Sequence, residues 1–371
     1  MQKTGMNMER VRQQNRALIL NYINDHGPSS RKDIAYATGL TQASVTQITT
    51  ALISEGILRE GDVVKESEKA VGRRKVLLHI EEEAFLVIAI NSEPDFTTVA
   101  VCDLMGSAVN DNDGNPLIHQ FMTQKDLPPK EFLVHIANIC KELKEQIPAI
   151  VKGKVECISY ATTGIVDRVN GISKQAYGIW NEAVPVREIL EAELKLPVLL
   201  ENNVDALAIA ELYFGTGRIH DDLLVIKWGP GVGSSVIIDG QVYHGRHGKT
   251  AEMGHVIVDP KGKVCVCGRR GCLETLVSEK ELKKKEKTGD KFTAIDQFSR
   301  AVVNSATILA PRKIVLFGRM AQDEQLRSAL IKDCAIYDPA YDENRIVHTS
   351  LYEKEHYIGP AAVYTQHKFL G

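Results

Sequence analysis

The chain has 371 residues, of which 44% are hydrophobic and 25% charged, with a formal net charge of −3. This is the balance of a globular protein long enough for two or three domains, and it excludes a disordered or fibrous chain. No apolar run approaches the roughly 18 residues of a membrane span, and the opening MQKTGMNMERVRQQN has no apolar segment of the signal-peptide kind, so a cytoplasmic protein without a membrane partner is expected.

The charge is uneven. Residues 1–80 carry 12 lysines and arginines against 8 acidic residues, whereas the remainder carries 33 against 40. A basic N-terminal module on an acidic body points to a polyanionic partner for the small part alone.

That module reads as three short helices. In the first, Leu18 with Tyr22 and Ile19 with Ile23 share a face at four-residue spacing, and Gly27-Pro28 ends it. Ser30 with Asp33 forms a capping-box start for the second, which stops at Gly39. Thr41 caps the third, whose apolar face is Val45, Ile48 and Leu52. Two short helices joined at TGLT form a helix-turn-helix, whose second member places its N-terminal residues against base edges in the major groove. Those residues are Thr41, Gln42, Ala43, Ser44, Thr46 and Gln47, small or amide side chains suited to close approach. Arg31, at the start of the preceding helix, is a further candidate DNA contact. GRRKVLLHI then reads as part of a wing, with Arg73, Arg74 and Lys75 available to phosphates or a minor groove. Double-stranded operator DNA is the partner this segment predicts.

Two segments of the body echo one another. FLVIAINSEPDFTTVAVCDLMGSAV from Phe85 and LLVIKWGPGVGSSVIIDGQVYHG from Leu223 each run strand, polar loop, strand, tight turn, strand. Such doubling predicts two related α/β lobes around a cleft. The loop GPGVGSS is followed by a strand, not a helix, which argues against both a dinucleotide fingerprint and a Walker loop. Its glycines suit either a phosphate-wrapping hairpin or a plain turn. Between the copies, LPVLLENNVDALAIAEL breaks from a buried strand ending at Leu200 into a polar cluster and then a helix.

Cysteine usage divides in two. Cys102, Cys140, Cys157 and Cys334 are scattered among apolar residues and read as core packing. His255, Cys265, Cys267 and Cys272 are spaced H-x9-C-x-C-x4-C within a glycine-rich loop, the donor set of a structural zinc site with all four positions filled.

These residues resemble the ROK family (repressors, open reading frames and sugar kinases). The resemblance rests on the winged helix ending in GRRK, on GPGVGSSVIIDGQVYHG, and on EMGH followed by CVCGRRGCLE. It implies an α/β protein with a winged helix-turn-helix over residues 1–80 and a two-lobed, actin-like ATPase fold of the sugar-kinase type over 81–371. The lobes would be 81–200 and 201–371, with a C-terminal helix returning to the first. Members with the winged helix resemble the xylose and N-acetylglucosamine repressors. The family's sugar site maps to Asn202, Asn203, Glu252, His255 and Glu274, with a monosaccharide or sugar phosphate as effector and a homodimer or homotetramer as the assembly.

Departures from the kinase pattern imply that a sugar is held and not phosphorylated. Asn203 stands where kinases have the aspartate base, and losing a general base costs about 10²–10⁴-fold in rate. The first phosphate loop is replaced by NSEPDF, in which Glu93 and Asp95 would repel a triphosphate, and a third glycine patch is reduced to LFGRM. Asp205, two residues past Asn203, is expected to point to a different face. The segment between CLETLVS and APRKIVLFG is shorter than in the family, where its helices take part in closure and oligomer contacts.

Overall fold

The computed structural model describes residues 8–64, 75–151, 153–245, 251–286, 291–338, 340 and 342–370. The N-terminal module comprises α1 (Met8–His26), β1 (Ser29–Ser30), α2 (Arg31–Thr38), α3 (Gln42–Ser54), β2 (Leu58–Val64) and β3 (Lys75–Ile80), with a sheet in the order β1-β3-β2. Its helix ends follow local chemistry. Ser30 accepts from the Asp33 N–H, Gly39 ends α2 in the left-handed region, and Thr41 accepts from the Ser44 N–H to start α3. Ile19, Leu20, Ile23, Ile34, Val45 and Leu52 are buried between the helices. Leu18 departs from expectation. It is 43% exposed, because the buried face of α1 runs through Ala17, Ile19, Leu20 and Ile23.

The first lobe contains β4 (Phe85–Ser92), β5 (Phe96–Cys102), β6 (Ile118–Met122), α4 (Pro129–Glu145), β7 (Lys154–Thr162), β8 (Ile165–Asp167), β9 (Ile172–Gln175), α5 (Val186–Leu194) and β10 (Val198–Asn202). The second contains α6 (Asn203–Phe214), β11 (Leu223–Trp228), β12 (Val232–Ile238), β13 (Gln241–Val242), α7 (Glu274–Val277), α8 (Glu279–Glu286), α9 (Lys291–Leu309), β14 (Lys313–Phe317), α10 (Arg319–Gln322), α11 (Glu324–Tyr337) and β15 (Ile346–His348). Finally, α12 (Glu355–Leu370) packs on α6 and β4.

The repeat in the sequence is a repeat in topology. The first sheet is ordered β10-β7-β4-β5-β6 and the second β13-β12-β11-β14-β15. In each, the first three strands form an antiparallel meander and the next two join in parallel through helical crossovers. The near-continuous burial of β4 and β11 reflects helices on both faces. The helices α6 and α12 lie between the sheets. Leu207, Ala208 and Ile209 share one apolar cluster with Val87, Ala89, Val225, Val315, Ile358 and Ala362.

The chain passes between the sheets at the polar cluster noted above. The strand runs two residues beyond Leu200, to Asn202. Asn202 is itself the helix cap, its amide oxygen accepting from Val204 and Asp205 N–H groups at 2.8 and 3.2 Å. Glu201, Asn202 and Asn203 are therefore held at the junction of a parallel strand and a helix start, a position open α/β sheets use for ligands.

Candidate functional site

On the N-terminal module, α3 presents Gln42, Ala43, Thr46 and Gln47 to solvent, together with its cap Thr41. Ser44 is half-buried, with its hydroxyl 2.9 Å from that of Thr41. Arg31 does not stand beside them as a free cation. Its Nε donates to Thr49 at 3.0 Å and its Nη1 to Glu60 at 2.8 Å, so it ties α3 to the wing strand β2. Lys75 pairs with Asp33 at 3.4 Å. Arg73 and Arg74 lie outside the described residues.

A cleft of about 300 Å³ opens between the lobes, within the usual range for small-molecule sites. Asn202, Asn203, Glu252, His255 and Glu274 all line it. Each is placed by backbone chemistry. Glu252 precedes and His255 ends a short turn, Met253–His255, pressed against β12. A Cβ at Gly254 would come within 2.0 Å of the Val232 carbonyl, so only glycine allows that approach. Ser234 holds the turn from both sides, donating to the Ala251 carbonyl and accepting from the Met253 N–H. Glu274 opens α7 and accepts from the Val232 N–H at 3.0 Å, and its burial raises its carboxyl above the ordinary value. Asn202 also donates to the Gly164 carbonyl at 2.8 Å, which anchors the cleft wall from the first lobe.

Asp205 corrects an expectation. It lines the same cleft as Asn203, because both lie in the first turn of α6, where side chains fan around the helix start. It is held there, accepting from Ser235 at 2.6 Å and lying 3.3 Å from Nδ1 of His244. Behind it sits buried Glu201, whose carboxyl is pushed up to about 7 by burial and then by the Asp205 charge.

His255, Cys265, Cys267 and Cys272 meet at one point, with their candidate ligand atoms all within 4.8 Å of one another. Sγ of Cys265 is 3.5 Å from Nδ1 of His255, and Sγ of Cys267 is 3.6 Å from Sγ of Cys272. With metal–sulfur bonds of about 2.3 Å, a tetrahedron has edges of about 3.8 Å, so the donor set and its spacing fit a tetrahedral ion. His255 faces two ways. Its Nδ1 meets the thiols, and its Nε2 lies 3.5 Å from Glu252 at the cleft, an arrangement that fixes the ring by its second nitrogen. The ring of Tyr177, from the first lobe, meets His255 edge-on at 6.0 Å.

The loops that would face a nucleotide in a kinase are filled from within. Glu93 and Asp95 are ion-paired across the cleft and so are not bare repulsive charges, which corrects the earlier expectation. Glu93 pairs with Lys227, and Asp95 with Arg319 at 2.8 Å. Burial opposes the Glu93 charge, but the Lys227 ammonium outweighs it and holds the carboxyl below its ordinary value. Glu355 accepts from the Gly318 N–H at 2.9 Å and lies 3.8 Å from Lys227. In GPGVGSS, a Cβ at Gly231 would stand 2.8 Å from the Glu274 carboxylate, so this glycine makes room for an acid.

A family profile described as "ROK family" matches residues 104–304. The chain belongs to the ROK family. Among ROK relatives it is 31% identical over 272 residues to the DNA-binding transcriptional dual regulator NagC of Escherichia coli (strain K12), covering 73% of this chain and 64% of that one. It is 29% identical over 273 residues to the xylose repressor of Caldicellulosiruptor bescii, covering 73% and 65%. The alignments thus span slightly under two thirds of those relatives. A crystal structure titled as a ROK family transcriptional regulator, a homolog of the E. coli MLC protein, superposes with a TM-score of 0.77 at 22% identity, covering 97% of each chain. The body accordingly has the two-lobed, actin-like ROK fold behind an N-terminal helical region.

Several cleft residues lie outside the motifs that carried the resemblance. Tyr177, Gly164 and Lys227 reach the cleft from loops and strands with no local signature. For Lys227 a signal existed, because a lysine inside the otherwise apolar LLVIKW is too costly to bury without a carboxylate partner.

Proposed function

We propose that this chain is a sugar-responsive, DNA-binding transcriptional regulator, working as a repressor, whose kinase-like body binds a carbohydrate without phosphorylating it. The observation that carries this reading is the cleft itself. Carboxylates and amides of Glu252, Glu274, Asn202 and Asn203 converge with His255 on a space suited to a monosaccharide, and vicinal hydroxyls are bonded by such groups. At the base position an amide replaces the acid, and an amide cannot take a hydroxyl proton.

Zinc is the ion that the three thiols and one imidazole suit. It would lock the Cys265–Cys272 loop and orient His255 from behind, so that metal order and sugar affinity are linked. The α3 residues Thr41, Gln42, Ala43, Ser44, Thr46 and Gln47 would read an operator, with Arg73, Arg74 and Lys75 on backbone or minor groove, and Arg31 bracing α3 rather than contacting DNA. A homodimer or homotetramer in the cytoplasm would pair two reader heads on a two-fold site. Sugar preference for one lobe arrangement would then alter their spacing. The names of the matched relatives, a xylose repressor and NagC, support the same reading.

Fluorescence anisotropy with the DNA upstream of the protein's own gene tests it. Binding that weakens with salt and changes on adding one of a panel of sugars is expected. No binding to that DNA, or binding no sugar alters, would overturn the reading.

A further inference from the structure

Among the described residues lining the cleft, Lys227 supplies the lysine or arginine charge, and no other residue of those two types does. That ammonium is buried and already lies between two carboxylates, Glu93 from the first lobe and Glu355 at the start of α12. The neighbouring cation, Arg319, is paired on two sides as well, with Asp95 at 2.8 Å and Glu279 at 3.0 Å. On the first-lobe side, Arg168 faces Glu201 at 3.7 Å.

The backbone offers an anion little more. Phosphate is wrapped by successive N–H groups of a loop. In GPGVG, Gly229 donates to Gly231 at 3.0 Å, Pro230 has no N–H, and Val232 donates to Glu274. The Gly318 N–H, in the third glycine patch, is taken by Glu355. Meanwhile Asp205 adds a carboxylate to the same wall, beside Glu252 and Glu274.

We infer that the cleft selects an uncharged, unphosphorylated monosaccharide and rejects its phosphate ester, with the Glu93–Lys227–Glu355 and Asp95–Arg319–Glu279 ion pairs as the specificity determinants. This rests on the sugar-regulator reading and narrows it. A phosphoryl group carries close to two negative charges at neutral pH. To be held by the charge of Lys227 it would displace a carboxylate, leaving that carboxylate buried and unpaired, which is costly. Neutral hydroxyls can bond the carboxylates and amides of Glu252, Glu274, Asn202 and Asn203 and require no such exchange.

The test is titration calorimetry of the metal-replete full chain with matched pairs: glucose and glucose 6-phosphate, N-acetylglucosamine and its 6-phosphate, xylose and xylose 5-phosphate. The expected result is that the free sugar of at least one pair binds, and that its phosphate ester binds roughly tenfold or more weakly. An ester that binds as tightly as its parent, or tighter, overturns the inference and leaves the sugar-regulator reading intact. Silence from every pair overturns that reading, and the inference with it.

Two variants then locate the cause. Glu93→Gln removes one of the two carboxylates on Lys227, and Asp95→Asn, at a half-exposed pair, removes one of the two on Arg319 with less risk to folding. Each is expected to narrow the gap between ester and sugar several-fold. Equal changes for both members of a pair would overturn the assignment to these ion pairs.

Discussion

Nε of Arg218 lies 3.0 Å from a carboxylate oxygen of Asp25, a residue 193 positions earlier in the chain. The same guanidinium donates to the carbonyls of Asn24 and Asp25 at 2.8 and 2.7 Å, at the C-terminal end of α1, where free carbonyls and the helix dipole favour a cation. Asn24 returns a bond to the Tyr213 carbonyl at 2.7 Å, in the last turn of α6. Because α6 begins at the cleft with Asn203 and ends at this joint, one helix connects the pocket to the N-terminal module. Arg218→Ala should cost about 1–2 kcal/mol of stability. It should also leave sugar affinity nearly unchanged while weakening the effect of sugar on DNA binding. Calorimetry and anisotropy on the same preparation check this, and an unaltered sugar effect would show that the joint does not transmit.

The His255, Cys265, Cys267 and Cys272 cluster makes a second prediction, resting on the zinc it is proposed to hold. Stripping the ion with a chelator, or replacing Cys267 by serine, should remove stoichiometric zinc from elemental analysis. It should also weaken sugar binding roughly tenfold or more, because His255 and Glu252 lose their fixed orientation.

Stability should depend on pH through Glu201. Its folded-state value is raised from 4.5 to about 7, chiefly by burial and next by Asp205. The native state therefore holds a proton that the unfolded chain releases, and the contribution is complete below about pH 4.5 and lost as pH rises through about 7. Glu201→Gln keeps the acceptor for the Asn202 N–H and removes the titration. Relative to the parent, the variant should gain about 1–3 kcal/mol between pH 4.5 and 8 in urea unfolding. A constant difference would contradict the assignment.

On the reader head, Gln47→Ala should weaken operator binding by about 1–3 kcal/mol if the amide contacts a base. The residue is exposed, so the circular dichroism spectrum and melting temperature should not move.

Restoring the acid alone should not restore chemistry. Asn203→Asp is expected to show no sugar-dependent ADP release above background, since Lys227 and Arg319 remain ion-paired and the N–H groups of Gly229, Val232 and Gly318 are already bonded within the protein. Turnover in this variant would mean that the missing base is the single lesion.

Much of this was legible in one dimension because the determinants are local. Thr41 and Gly39 announce their helix ends through cap and turn chemistry, and the spacing of Cys265, Cys267 and Cys272 brings the thiols together within one loop. The paired sheets were visible as a repeated strand-loop-strand pattern. What escaped depends on long-range packing or on helix phase. Glu93 looked repulsive because its partner lies 134 residues away, and Arg31 looked available because Glu60 is on another strand. Asp205 was misdirected by assuming that two positions along a helix must leave the cleft. At a first turn capped by Asn202, the opening is wide enough for both.

The placement of α12 has a bearing on biosynthesis. This helix covers β4, yet it is translated some 270 residues later (Phe85 against Glu355). Thr365 donates to the Leu104 carbonyl at 2.7 Å, and Tyr364 and Lys368 reach Glu156. On the ribosome, the part of the first sheet that α12 covers must wait, apolar and exposed, until nearly everything else has emerged. Its nascent form is a natural client for chaperones, and shortening the chain ahead of α12 would harm the lobe made first.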